Sequence, residues 1–373
     1  MTLRRATIAA QANGTASPAG GVVGAIETAT TFLRDADYSP ASDVYRRDHN
    51  PTVREAEAVI AALEGAAEAR LFASGLAAIS AVLRAASGPI ALQSGTYYGT
   101  AELGRLYGEQ GRDIIPFEGG DLASLERAMA RRPGLVVVET PSNPWLTVVD
   151  IAAAAAIAHA AGALLAVDST AATPMVTRPL EHGADIVMHS ATKALNGHSD
   201  VLAGALAVRE PDGPLWTRAK ALRAKEGAVL SPFDAFLLVR GMRTLALRVE
   251  AMNRSALHVA HWLAAHPKVA VVRYPGLPAH PGHATALRQM EGFGGLLSFD
   301  VHGGAREARA VLSGLSVVKR ATSLGGVETL IEHRHSIEPA FTQMPPGLLR
   351  LSVGIEAVED IVADLDRGLS TVA

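Results

Sequence analysis

From Pro51 onward, short apolar runs alternate with amphipathic stretches. Ile90–Leu92, Leu135–Val138, Leu164–Val167, Asp185–Met188 and Ala203–Val208 are each too short for a buried helix and are predicted as strands. Helical patterns lie between them. Val53, Ala56, Ile60 and Leu63 share one face of a helix over Thr52–Leu63, and Leu122–Met129 follows Asp121, a residue suited to capping a helix N-terminus. The stretch from Ile151 to Val167 is apolar but is broken by Gly162 and holds His159, so it reads as a surface helix followed by a buried strand. Helices alternating with short buried strands predict an α/β fold. Its sheet is mainly parallel, with helices on both faces and ligands at the carboxyl ends of the strands.

The rhythm changes around Ser231-Pro232. A long helix is predicted from about Asp234 to Ala264. Strands follow at Val269–Val272, Leu296–Phe299, Ser316–Lys319 and Leu348–Leu351, and a last helix at Val358–Leu369. This part reads as a smaller α+β domain. The first 50 residues are irregular, because Gly14, Pro18, Gly20, Gly21 and Gly24 break any periodicity. The expected organisation is an N-terminal arm (1–50) that packs on a neighbouring subunit, a large domain (51–235) and a C-terminal domain (236–373).

Composition narrows the classes. The chain has 373 residues, 49% hydrophobic and 19% charged, with a formal net charge of -3. That suits a globular enzyme and argues against a nucleic-acid binder, which carries a basic excess. The absence of cysteine excludes disulfides, thiolate nucleophiles and Cys-based metal sites, and fits a reducing cytoplasm. Met1–Ala10 lacks the sustained apolar run of a signal peptide, and no segment predicts a membrane span. The pairs His258/His261, His280/His283 and His333/His335 lack supporting carboxylates at metal-ligand spacing, so no metal site is expected.

Four segments carry candidate chemistry. Asp185-Ile-Val-Met-His-Ser-Ala-Thr-Lys193 is an apolar strand ending in Ser190, Thr192 and Lys193. An aldehyde cofactor needs an amine to form an imine and hydroxyl donors for its phosphate, and this segment supplies both. Ala166-Val-Asp-Ser169 places Asp168 at another strand end, where a buried carboxylate asks for a cationic partner such as a pyridinium nitrogen. Phe72-Ala-Ser-Gly-Leu-Ala-Ala78 turns from strand to helix at Ser74-Gly75. The N–H groups of Gly75 and Leu76 would then face an anion. Tyr45-Arg-Arg-Asp-His-Asn-Pro-Thr52 offers a tyrosine and an arginine fork for phosphate.

In order along the chain, these segments resemble the Cys/Met-metabolism family of pyridoxal-5′-phosphate (PLP) enzymes, the group of cystathionine γ-synthases, cystathionine γ-lyases and methionine γ-lyases with the fold-type I, PLP-dependent transferase-like architecture. The resemblance also includes Tyr98-Gly99, Glu139-Thr-Pro-Ser-Asn-Pro144, Gly197-His-Ser-Asp-Val201, Ser323-Leu-Gly-Gly-Val-Glu328 and Leu349-Arg-Leu-Ser-Val-Gly-Ile-Glu356. It implies that Lys193 holds PLP as a Schiff base and carries protons. Asp168 is then the pyridinium partner, and Tyr98 stacks on the cofactor and helps move protons near the leaving group. Ser74, Gly75, Leu76, Ser190 and Thr192 are implied around the phosphate. Asn143, Ser323 and Arg350 are implied to hold the cofactor hydroxyl and the substrate carboxylate, for which an arginine fork is suited. Tyr45 and Arg47 would reach the phosphate of a neighbouring subunit, giving a homotetramer built from active-site-sharing dimers.

Three departures bear on the substrate. Val44, Leu103 and Thr322 stand where cystathionine-handling members usually carry an acid, an arginine and a glutamate. Their loss would leave the distal charges of cystathionine unpaired in a closed site. Thr100 stands where methionine γ-lyases carry cysteine. Glu27, Glu102 and Glu338 are unusual acids that are candidates for the distal pocket. The resulting expectation is γ-elimination or γ-replacement on a γ-substituted amino acid, methionine or homoserine-derived, rather than on cystathionine itself. The alternatives are cystathionine γ-synthase or γ-lyase activity proper, a β-lyase releasing pyruvate, and a PLP-binding protein without turnover.

Overall fold

The computed structural model describes residues 3–40 and 43–372; positions 1, 2, 41 and 42 of the expected arm, and position 373, lie outside them. Seven strands form the first sheet: β1 (Glu68–Phe72), β2 (Ile90–Ser94), β3 (Ile114–Glu118), β4 (Leu135–Glu139), β5 (Leu164–Asp168), β6 (Ile186–Ser190) and β7 (Gly204–Val208). Their order is β1-β7-β6-β5-β4-β2-β3. Every pairing is parallel except those of β7, which runs against both β1 and β6.

The period-2 alternation of side chains explains why both faces are covered. Val136, Val138, Leu165, Val167 and Val187 enter one core with helices Pro51–Glu64 and Ile151–Ala160. Leu135, Val137, Ala166, Ile186 and Met188 enter the opposite core with helices Gly75–Ala85 and Pro214–Glu226. The expected helix behind Asp121 forms over Leu122–Met129, and the Asp121 carboxylate accepts from Ala123 N at 2.9 Å.

The second sheet has five strands: β8 (Val269–Arg273), β9 (Leu296–Val301), β10 (Lys319–Arg320), β11 (Leu330–His333) and β12 (Leu348–Ser352), in the order β10-β11-β12-β9-β8. Helices Ala305–Ser313 and Val358–Leu369 close its core with Leu297, Phe299, Ile331, Leu349 and Leu351.

Two expectations are corrected here. The strand placed at Ser316–Lys319 is a strand only from Lys319. Buried Asp364 accepts from the amides of Ser316, Val317 and Val318, which removes them from any ladder. The single long helix from Asp234 is two helices, Pro232–Met242 and Leu245–Ala265. Gly241 lies so close to Asn196 that a Cβ there would stand 2.2 Å from the Asn196 carbonyl oxygen. Arg248 and Thr244 then donate to the Gly241 carbonyl at 2.8 and 3.2 Å, which closes the first helix.

The second helix starts in one core and ends in another. Leu245 and Val249 pack beneath the seven-stranded sheet, while Ala256, Val259, Ala260 and Leu263 pack beneath the five-stranded one.

Candidate active site

The carboxyl ends of β4, β5 and β6 bring polar groups to one edge of the large sheet. Glu139 and Asp168 are register neighbours on β4 and β5. Thr170 donates to Asp168 Oδ1 from both its amide (2.9 Å) and its hydroxyl (2.5 Å). The Thr170 hydroxyl oxygen also accepts from Ser190 N at 2.8 Å, tying the end of β5 to that of β6. Gly75 sits against Ser190, where a Cβ would meet the serine side chain at 2.9 Å, so only glycine fits. The helix Gly75–Ala85 therefore begins beside Ser190, and its first N–H groups have no intrahelical acceptor.

Lys193 follows in the turn after β6. Arg248 pins this turn by donating to the Ala194 carbonyl at 2.8 Å. The Lys193 amine donates to Ser323 Oγ at 2.9 Å, and this contact joins the two sheets. Ser323 has φ +112°, a conformation that costs a non-glycine residue free energy and persists only where neighbours hold it. Arg350 on β12 is one such neighbour: it donates to the Ser323 carbonyl at 2.7 Å and to Asn143 Oδ1 at 3.1 Å. Glu332, opposite Arg350 on β11, pairs with it.

Burial dominates the electrostatics. Loss of hydration, helped by the Arg350 charge, lowers the Lys193 amine from 10.5 to about 8. Desolvation also lowers Arg350, to about 10. Asp168 is raised by burial despite the Thr170 bonds. No lysine or arginine pairs with it among the described residues, so its carboxyl is open to a cation brought by a ligand. Glu139 is raised well above the usual carboxylate range, by burial and then by Asp168. It accepts from Tyr97 N at 2.6 Å and Asn143 N at 2.7 Å.

Hydrogen bonds, strand register and the close approach of Gly75 to Ser190 thus link Lys193, Asp168, Ser190, Gly75, Asn143, Ser323 and Arg350 into one neighbourhood. Tyr98 opens helix Tyr98–Glu109, with its ring 4.7 Å from that of Tyr97. Ser74 uses its hydroxyl to cap that helix beginning at Gly75, accepting from Ala77 N at 3.1 Å. The Leu76 side chain is exposed, which leaves only its amide for an anion. The Thr192 hydroxyl both donates to and accepts from Ala203, so its hydrogen must leave that carbonyl to serve a phosphate. Tyr45 and Arg47 stand apart on the arm, paired with each other (5.2 Å from guanidinium to ring) and open to solvent on Tyr45.

Among the three unusual acids, Glu27 accepts from Ala29 N and Glu102 pairs with Arg105 on a helix surface. Glu338 alone is buried against Arg334, near Tyr97 and Arg350. Sequence reasoning gave no role to Tyr97, Glu139, Thr170, Glu332 or Arg334. The one available signal was the dense charge of Glu332–Glu338 after an apolar run.

A lowered amine at a strand end, a buried acid without a cation, and a helix N-terminus that only glycine can bring to Ser190 fit an aldehyde cofactor with a basic ring nitrogen and a phosphate. Fold and site together define a PLP-dependent enzyme of fold-type I. The chain belongs to the Cys/Met metabolism PLP-dependent enzyme family, whose model matches residues 6–370. It is 40% identical to the cystathionine gamma-synthase of Mycobacterium tuberculosis over 98% of this chain and 96% of that one. It is 39% identical to an L-methionine gamma-lyase of Fusobacterium nucleatum subsp. polymorphum, over 91% and 88%. A crystal structure of cystathionine gamma synthase from Xanthomonas oryzae pv. oryzae, in complex with aminoacrylate and cysteine, superposes with a TM-score of 0.95 at 38% identity. The match covers 100% of this chain and 99% of that one. The protein is a PLP-dependent enzyme of the trans-sulfuration group.

Proposed function

We propose that the enzyme performs γ-elimination or γ-replacement on an amino acid with a γ-substituent, methionine or a homoserine derivative, whose distal end is not a second amino-acid head group. One observation carries the reading. The Lys193 amine and the Arg350 guanidinium meet at Ser323, so a proton carrier stands beside a carboxylate anchor.

PLP, when bound, supplies an aldehyde for amines and a ring that accepts the electrons released at Cα. Lys193 would hold it and, once freed by the substrate amine, would take the Cα proton. Its lowered basicity keeps a neutral amine available near pH 8. After handing that proton on to the cofactor, the same amine, neutral again, would take one from Cβ, and its removal would allow the γ-substituent to leave. Arg350, steadied by Asn143 and the Ser323 carbonyl, orients the substrate carboxylate. Asp168 is assigned to the ring nitrogen and Tyr98 to the ring face and to protons at the leaving group. The amides of Gly75 and Leu76, with Ser74, Ser190 and Thr192, are assigned to the phosphate. Tyr45 and Arg47 are assigned to the phosphate of a partner subunit, in a cytoplasmic homotetramer of site-sharing dimers. The division into arm (1–50), cofactor domain (51–235) and C-terminal domain (236–373) belongs to the same proposal.

The limit on the distal end rests on Val44, Leu103 and Thr322. Leu103 packs against the core beneath helix Gly75–Ala85, and Val44 and Thr322 are exposed, so none of the three provides a charge for a distal ammonium or carboxylate. The test is release of keto acid and ammonia from methionine, homocysteine, cystathionine, O-acetylhomoserine, O-succinylhomoserine and canavanine, with and without an added thiol. The expected product is 2-oxobutyrate, or a γ-replaced amino acid, from substrates without a second head group. Pyruvate as the main product would overturn γ-chemistry, and cystathionine as the best substrate would overturn the distal-end assignment.

A further inference from the structure

The carboxylate anchor does not stand alone. Arg350, Glu332, Arg334 and Glu338 form a chain of alternating charge, all four side chains at most 6% exposed. A single oxygen, Glu332 Oε2, contacts both guanidiniums, 2.7 Å from Arg334 Nη1 and also against Arg350 Nη2. Glu332 Oε1, Arg334 Nε and Arg350 Nε are buried without a hydrogen-bond partner. Arg334 lies in the short helix Arg334–Ile337 directly after β11, and Glu338 follows that helix.

This arrangement poses an electrostatic problem. Arg350 can anchor a substrate carboxylate only if its charge is not already spent on Glu332. In a buried site, two carboxylates on one guanidinium leave an uncompensated negative charge. Arg334 takes a share of the Glu332 charge by binding the same oxygen that Arg350 binds. Glu338 in turn draws on Arg334 from the other end.

We infer that Arg334 is a positioning residue for the carboxylate anchor: it holds Glu332 in a divided pairing, which leaves Arg350 the capacity to bind a substrate carboxylate, and Glu338 sets how much of the Arg334 charge is available for this. The inference rests on the assignment of Arg350 under the proposed function, but not on γ- against β-chemistry. It also makes opposite demands on two adjacent side chains. Removing Arg334 weakens carboxylate binding, and neutralising Glu338 strengthens it. A purely structural role for the pair would make both changes neutral or both harmful. The Arg334 charge also contributes to the lowered basicity of Lys193, so its loss moves the amine upward.

The probe is 4-(methylthio)butanoate, which has a carboxylate but no amine to react with the cofactor, with the corresponding amide as control. Its dissociation constant is measured on the holoenzyme by competition and on the cofactor-free protein by calorimetry. Arg334→Met is expected to raise the constant about tenfold, and Glu338→Gln to lower it about threefold. Arg334→Lys, which cannot fork to two carboxylates, restores only part of the loss. The amide is expected to bind all variants alike. Thermal midpoints, taken alongside, identify variants that fail to fold, and Glu338→Gln keeps the test open if Arg334→Met is one of them. Equal effects on acid and amide, or weaker binding in Glu338→Gln, would overturn the inference. So would an Arg350→Leu variant that binds the acid as tightly as the wild type, because the anchor itself would then lie elsewhere. A pyruvate-producing enzyme with the expected binding pattern would sink the γ-assignment and leave the role of Arg334 standing.

Discussion

The two sheets meet the site with different chemistry. The seven-stranded sheet offers groups without a bound opposite charge at the ends of apolar strands: Asp168, Glu139 and, just beyond, Lys193. Each is displaced from its ordinary basicity toward the neutral form by burial. The five-stranded sheet offers the opposite, a chain of compensated charges on β11, β12 and the short helix that follows β11. Neutral-leaning groups gain most from a partner that arrives charged, as a cofactor does. A compensated chain can be retuned by changing one member without losing the rest. The large sheet thus suits a constant task and the small sheet a variable one, with the Lys193–Ser323 bond as their junction.

This contrast can be broken most directly at Lys193. Lys193→Ala is expected to lower kcat/KM by at least about a thousandfold for every substrate alike. A loss confined to some substrates would remove the idea of a constant task. Arg350→Leu should cost about a hundredfold, mostly in KM and equally for substrates with different γ-groups. A change in kcat alone would place Arg350 elsewhere in the reaction. Gly75→Ala should weaken PLP affinity about tenfold, through the clash with Ser190, while KM of the reconstituted enzyme changes little. The comparison is sharpened by titration. Between about pH 8 and 10.5 the unfolded chain binds the Lys193 proton and the folded, cofactor-free chain does not, so stability rises with pH across that window. Denaturant midpoints of the cofactor-free protein should show this slope, and Lys193→Met should flatten it. The smallest effect is expected from Val44→Asp, at an exposed position that can carry a charge, as a gain of about a few-fold in preference for cystathionine in the substrate panel.

The residues that were legible in the sequence are those whose role is local. An apolar run ending in Ser-x-Thr-Lys announces itself, and so does a capped helix such as Leu122–Met129. β3 was missed because Pro116 sits in it, which an edge strand tolerates and an interior strand does not. β11 was missed because Glu332 and His333 make it look like a loop. Their burial depends on Arg350 and on the Pro346 carbonyl, which accepts from the His333 ring if Nε2 carries its proton. Ser316–Val318 misled in the other direction, since Asp364, far along the chain, takes the amides that a strand would need. The roles of Glu139 and Arg334 were equally hidden, because each is set by partners that only the fold brings near.

Helix Leu245–Ala265 works as a shared axle, with one end seated under each sheet. Neither half of the molecule can come apart without stripping apolar side chains from the other. Heating should therefore produce one calorimetric peak rather than two, with equal van't Hoff and calorimetric enthalpies. A chain cut into two pieces on either side of the axle would give fragments that each keep one raw, water-facing seam.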